Sequence, residues 1–170
     1  MNEIRKSAFV AIPVERMFDL IEAAEHYPVF LPWCGGATIL ARDENAVRAK
    51  ITVDYHGLRF DFVTRNPKRR PEFMAIHLER GPFRHFEGEW HLARLTPAAC
   101  RIEFCLRYEF ESLVMAALAG PVFGRMANTL VNAFVGRAEQ VDEEKSRNDA
   151  EVSASRAVNR KRNRKRSEPA

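Results

Sequence analysis

Between residues 99 and 110 apolar side chains fall on every second position, with Ile102, Phe104, Leu106, Tyr108 and Phe110 on one side and Glu103, Arg107 and Glu109 on the other. A strand with one face inside and one in water has this period. The same alternation groups Phe86, Trp90 and Leu92, then Leu58, Phe60 and Phe62, then Ile51, Val53 and Tyr55. Turn residues separate the runs at Asp43 to Asn45, His56-Gly57, Asn66-Pro67, Gly81-Pro82 and Thr96-Pro97, which predicts an antiparallel meander from Ala37 to Phe110. Upstream, Ser7 to Ile12 reads as a strand and Pro13 opens a helix whose Val14, Met17, Phe18 and Ile21 share one face. HYPVFLPWCGG, residues 26–36, is a short packed connector.

One short helix is too small to cover a sheet of six to seven strands, so a second helical element is required. Ser112 to Glu144 supplies it, with Ser112 as N-cap and Phe123, Met126, Leu130, Phe134 and Val141 near helical spacing. Gly120-Pro121 is expected to kink or split this helix, because proline removes a backbone donor and crowds the preceding turn. The class is α+β: a curved antiparallel sheet of six to seven strands around a long C-terminal helix, in one domain over residues 1–144. Such a helix can close a solid core or roof an apolar cavity. Spacing alone does not separate the two for Phe60, Phe62, Phe86, Trp90, Tyr108, Phe110, Phe123 and Phe134.

Charge changes the picture at the C-terminus. The chain of 170 residues has a net charge of +4, but residues 145–170 hold nine Lys/Arg against three Asp/Glu, a net of +6, which leaves −2 on the rest. With two valines and no aromatic residue, that tail lacks the apolar area that offsets ordering entropy and is expected to be disordered. Its cluster Arg160, Lys161, Arg162, Arg164, Lys165 and Arg166 suits RNA phosphates or anionic lipid headgroups, or serves as a solubilising end. Lys68, Arg69 and Arg70 form a second basic group, read as a hairpin that touches phosphate or as a solvated turn.

Length and composition argue against a multidomain enzyme. The most apolar stretch, Leu113 to Val135, is broken by Pro121 and Arg125, and no secretory leader is legible, so a cytoplasmic protein is expected, peripheral to the inner membrane if the basic tail meets lipid. Cys34, Cys100 and Cys105 are odd in number without Cys-x-x-Cys spacing, as reduced thiols are. The five histidines are scattered, so no metal site is expected.

Gly-x-Ser-x-Gly and phosphate-binding glycine loops do not occur. His85, Glu87, Glu89 and His91 alternate along one strand face, either as an acid/base or metal-binding set or as a solvent-facing stripe, and Phe86, Trp90 and Leu92 opposite favour the stripe. Asp54, Tyr55 and His56 beside Gly57 either orient a ligand at a cavity mouth or make a turn.

HYPVFLPWC at 26–34, GPFRHFEGEW at 81–90, ACRIEF at 99–104 and NAFVGRAEQV at 132–141 resemble the coenzyme Q-binding START-domain family, which includes ribosome-association toxins. The resemblance covers about residues 3–141 and leaves the basic tail outside. It implies the helix-grip fold with an apolar tunnel under the C-terminal helix. It also implies a non-enzymatic protein with no covalent cofactor, binding ubiquinone or a polyprenyl quinone precursor in support of respiration or quinone synthesis. The alternative it offers is a factor that binds the large ribosomal subunit and blocks subunit association. A cyclase or dehydratase activity, from the wider superfamily, is the weaker third. The expected ligand contacts are Trp33, Tyr55, Phe62, Phe86, Trp90, Tyr108, Phe110, Phe123, Met126 and Leu130, chosen for interior patterning on sheet, connector and closing helix.

Overall fold

The computed structural model describes residues 1–167. Strand β1 (Asn2–Val10) leads into α1 (Val14–Glu22), a single 3-10 turn (Ala24–His26) and the one-turn α2 (Tyr27–Phe30). Six further strands follow: β2 (Cys34–Arg42), β3 (Ala46–Tyr55), β4 (Leu58–Arg69), β5 (Phe73–Arg80), β6 (Phe83–Thr96) and β7 (Ala99–Phe110), before α3 (Leu113–Arg166). The order across the seven-stranded sheet is β1-β7-β6-β5-β4-β3-β2, with every pairing antiparallel. The antiparallel meander is the one the alternation predicts, and with α3 it makes the helix-grip fold that the resemblance implies.

Local chemistry sets the turns. His56 (φ 49°) and Gly57 (φ 78°) make a two-residue loop between the paired Tyr55 and Leu58, and two positive φ values match the right-handed twist of a hairpin. The Asp43 carboxylate accepts from the backbone of Asn45 at 2.7 Å and Ala46 at 2.9 Å, closing the β2–β3 turn. Asn66-Pro67 is not the predicted turn: both lie inside β4, and the chain reverses after Arg69 instead. A residue before proline is driven to extended backbone, which suits a strand as well as a turn. The β4–β5 ladder pairs Arg65 with His77, passes over Asn66 and Pro67, and resumes at Lys68 with Met74, as a missing backbone donor requires.

The inner sheet face carries the expected series Ile102, Phe104, Leu106, Tyr108 and Phe110, with Phe86, Trp90 and Leu92 beside them, all buried. His85, Glu87, Glu89 and His91 sit on the other face, the last three exposed. Val14, Met17, Phe18 and Ile21 of α1 are buried at one end of the sheet. On α3 the buried residues are Ala119, Phe123, Met126, Ala127, Val131, Phe134 and Ala138. One stretch of this helix is long and apolar enough by composition to cross a bilayer, and 28% of that stretch is buried against the rest of the fold.

Two expectations about α3 are corrected. Gly120-Pro121 does not split it: a single helix runs for 54 residues, about 80 Å at the usual rise. Ala117, whose carbonyl loses its partner at Pro121, is exposed. The tail is likewise not irregular. Helix continues through residue 144 to Arg166, while residues 168–170 lie outside the described residues. What changes near 144 is burial, since Ala138 is the last buried residue, Val141 and Asp142 are half-buried, and every residue from 143 to 167 is exposed. The Asp142 carboxylate takes the Arg16 guanidinium and ties the helix to α1 at that point. Extending a formed helix adds one hydrogen bond per residue without a new nucleation cost, and residues 137–167 contain neither glycine nor proline.

Candidate functional site

Between the inner sheet face and α3 lies an apolar cavity of about 100 Å³. Phe62, Ile76, Phe86, Trp90, Phe104 and Leu106 form its floor, Phe123, Met126, Ala127, Leu130 and Phe134 its roof, and Ile21, Tyr27 and Trp33 its end wall. An apolar void of about 150 Å³ accommodates benzene, and ligand pockets for larger molecules run from about 300 Å³ upward. A quinone ring with its tail therefore requires the roof to give. In that roof Met126 is unbranched and adapts its shape at low cost, and Leu130 is only half-buried.

Of the ten ligand contacts expected from sequence, the structure places Trp33, Phe62, Phe86, Trp90, Phe123, Met126 and Leu130 on the cavity wall. Tyr55, Tyr108 and Phe110 stand elsewhere. Tyr55 packs edge-on against His56 at 4.1 Å in the hairpin, which is the turn reading of that segment. Tyr108 and Phe110 belong to a filled aromatic cluster, with Phe83 stacked on Phe110 at 4.8 Å and Phe123 edge-on to Tyr108 at 4.7 Å. One end of the space under α3 is solid and the other is hollow. Which aromatic falls in which half depends on where the helix crosses, a long-range property with no local signature.

The hollow end has a polar rim that the sequence reading missed. Phe62, Thr64 and Asn66 point inward from alternate positions of β4, and all three line the cavity. Asn66 Oδ1 is buried and without a hydrogen-bond partner among the described residues. The Phe60, Phe62 alternation continues through Thr64 to Asn66, but an Asn-Pro pair reads equally as a chain reversal. The amide offers a ligand either a carbonyl or an N–H, according to its flip. An unpaired buried polar atom costs about 1–3 kcal/mol. Asn66→Leu is therefore expected to raise the thermal midpoint of the ligand-free protein and to weaken any polar ligand head, read by melting with and without ligand.

Glu22 also borders the cavity, but its Oε1 accepts from Arg42 Nε and from Lys68 Nζ, each at 2.9 Å. The carboxylate is thus engaged as an ion-pair acceptor rather than free as a base. Arg42 goes on to grip Glu25 at 2.7 and 3.0 Å, and that contact holds the Glu25 carboxyl below its ordinary range. Two of the three cations at 68–70 are engaged in the same way. Lys68 is nearly buried on Glu22, Arg70 makes a two-pronged contact to Asp19 at 2.7 and 2.9 Å, and Arg69 lies over the Phe73 ring. Lys68 and Arg70 brace the end of β4 against α1, whereas the Arg69 side chain stays 75% exposed.

Tyr27 closes the end wall, its hydroxyl donating to the Ile21 carbonyl and its ring 5.3 Å from Phe134. Burial pushes the Tyr27 hydroxyl well above its ordinary pKa of 10.0, and burial also raises Tyr108, Cys34 and Cys100. For each group the folded state holds the proton longer than the unfolded chain, so stability is full below the ordinary values and falls as pH rises past them. Unfolding midpoints from pH 8 to 11 should decline, and Tyr27→Phe should show a shallower decline above about pH 10.

The sequence profile described as polyketide cyclase/dehydrase and lipid transport matches residues 10–135. Among characterised relatives, the Pseudomonas aeruginosa protein named ribosome association toxin RatA is 36% identical over 140 residues, covering 82% of this chain and 97% of the relative. The Xenopus laevis mitochondrial coenzyme Q-binding protein COQ10 homolog B is 24% identical, covering 82% of this chain and 59% of the relative. Among solved structures, the Zhui aromatase/cyclase of Streptomyces superposes with a TM-score of 0.72 at 17% identity, covering 82% of this chain and 94% of the other. A START superfamily protein of Mycobacterium smegmatis gives 0.69 at 23%, covering 82% and 98%. The chain therefore belongs to the polyketide cyclase/dehydrase and lipid-transport family, in which it shares the START-type helix-grip fold and groups by sequence with the ribosome association toxins.

Proposed function

We propose that this protein is a non-enzymatic factor that associates with the ribosome, through the large subunit, and opposes subunit joining. The observation that carries this reading is the match to a protein named for ribosome association along nearly its whole length. It reverses the order expected from sequence, where quinone binding stood first. The cavity supports binding over chemistry: its carboxylate is engaged by two cations, and its other polar groups are neutral. The cyclase neighbour speaks for fold alone at its level of identity.

Sedimentation of the full-length protein with separated and joined ribosomal subunits at graded salt tests the reading. The expected result is co-migration with the large subunit and a smaller fraction of joined particles. Protein that stays at the top of the gradient at every salt concentration overturns it.

A second reading, ubiquinone or a related isoprenoid as bound ligand, is favoured by the apolar cavity with its polar rim at Thr64 and Asn66. Each buried CH₂ of such a tail contributes roughly 0.8 kcal/mol before ordering costs. Mass spectrometry of the organic extract from protein made in a ubiquinone-producing bacterium is expected to recover quinone or isoprenoid in near-equal amount to protein. An extract matching that of an unrelated control removes the second reading and leaves the first untouched.

A further inference from the structure

The end of α3 carries a separate interaction surface. Ala138 is the last buried residue of the helix and Arg166 lies 28 positions further on, about 42 Å along the axis. Residues 156–166 hold seven cations, Arg156, Arg160, Lys161, Arg162, Arg164, Lys165 and Arg166, all exposed and with no acidic residue among them. Successive helical residues point about 100° apart, so the run 160–162 faces three directions and 164–166 repeats them one turn later. Positive charge therefore surrounds the helix. The two larger apolar side chains of the exposed stretch 143–167, Val152 and Val158, are exposed by 50% and 60%, and a separation of six residues sets them about 120° apart around the axis. A helix that lies in a membrane interface needs one apolar face opposite its charged one, and this helix has none.

We propose that residues 156–166 seat as a cationic helix in a groove of structured RNA, where phosphates line both walls and meet charge on every side of the helix. In the cell this RNA is ribosomal, as the proposed association requires. Arg156 with Arg160, Arg160 with Arg164, Lys161 with Lys165 and Arg162 with Arg166 are like charges one turn apart and repel. RNA phosphates relieve that repulsion, so binding neutralises charge on a helix that is already formed.

The test compares the full chain with a variant carrying Arg160→Gln, Arg162→Gln, Arg164→Gln and Arg166→Gln, all at exposed positions that leave the body unaltered. Fluorescence anisotropy against a bulged RNA hairpin of about 20 base pairs should show the full chain binding at least about 30-fold tighter at physiological salt, with a log–log salt slope steeper by about 3. Equal RNA affinity of the two proteins overturns the proposal, as does a full chain that binds phosphatidylserine vesicles and ignores the hairpin. Should the variant match the full chain on RNA while both sediment with ribosomal subunits, the helix proposal falls and ribosome association stands. Should neither sediment while the hairpin still distinguishes them, the reverse holds.

Discussion

Replacing Phe134 by alanine is expected to lower the free energy of unfolding by about 4 kcal/mol and the thermal midpoint by about 10 °C. Phe134 is 1% exposed, and its ring meets Phe30 at 5.1 Å, Tyr27 at 5.3 Å and Trp90 at 5.3 Å. It pins α3 simultaneously to the connector and to the centre of the sheet. The void left by truncation would merge with the existing cavity, so neighbours cannot collapse around it, which places the cost in the upper part of the usual range. Leu113→Ala on the same helix, at a position 90% exposed, should change stability by less than about 0.5 kcal/mol. Urea unfolding of both variants checks the pair. A loss below about 1 kcal/mol for Phe134→Ala would mean that α3 is held on the sheet by other contacts.

Ala127→Leu should have the opposite character: little change in stability and a large loss of ligand. Ala127 is 5% exposed and faces the cavity from the middle of the roof. Its replacement directs three more carbon atoms into a space of about 100 Å³. Because the void already exists, the added atoms gain contacts instead of forcing neighbours apart, and the overpacking penalty of about 1–3 kcal/mol is largely avoided. An apolar ligand competing for that space should be recovered at least about tenfold less, equivalent to about 1.4 kcal/mol of binding. Ribosome sedimentation of the same variant separates the two functional readings. Unchanged sedimentation places ribosome contact away from the cavity, whereas joint loss couples the two.

The residues that were legible in the sequence are those whose environment is local. The strict alternation of β7 and the helical spacing of Val14, Met17, Phe18 and Ile21 follow from backbone periodicity, and His56-Gly57 follows from the φ demands of a tight hairpin. Asn66-Pro67 misled because proline biases the preceding residue to extended backbone in strands and turns alike. That error hid the polar rim. The partners of Lys68 and Arg70 lie 46 and 51 residues earlier, in Glu22 and Asp19, where nothing local announces them. The basic tail misled for a different reason. Its composition correctly denies it a core, but a helix already nucleated upstream needs none to continue.

The position of β1 in the sheet sets a timetable for synthesis. Asn2 pairs with Tyr108 and Val10 with Cys100, whereas every other strand pairs with its immediate successor or predecessor. At a translation rate of about 5–20 residues per second, β1 waits for its partner for roughly 5–20 s after it is made. Through that interval Ile4 and Val10, buried in the finished fold, have no inner face to join. The meander can zip hairpin by hairpin as it emerges, but the sheet acquires its first-made edge only when its last-made strand arrives. A nascent chain halted before residue 99 would therefore present an unpaired strand to chaperones and to its neighbours on the same message.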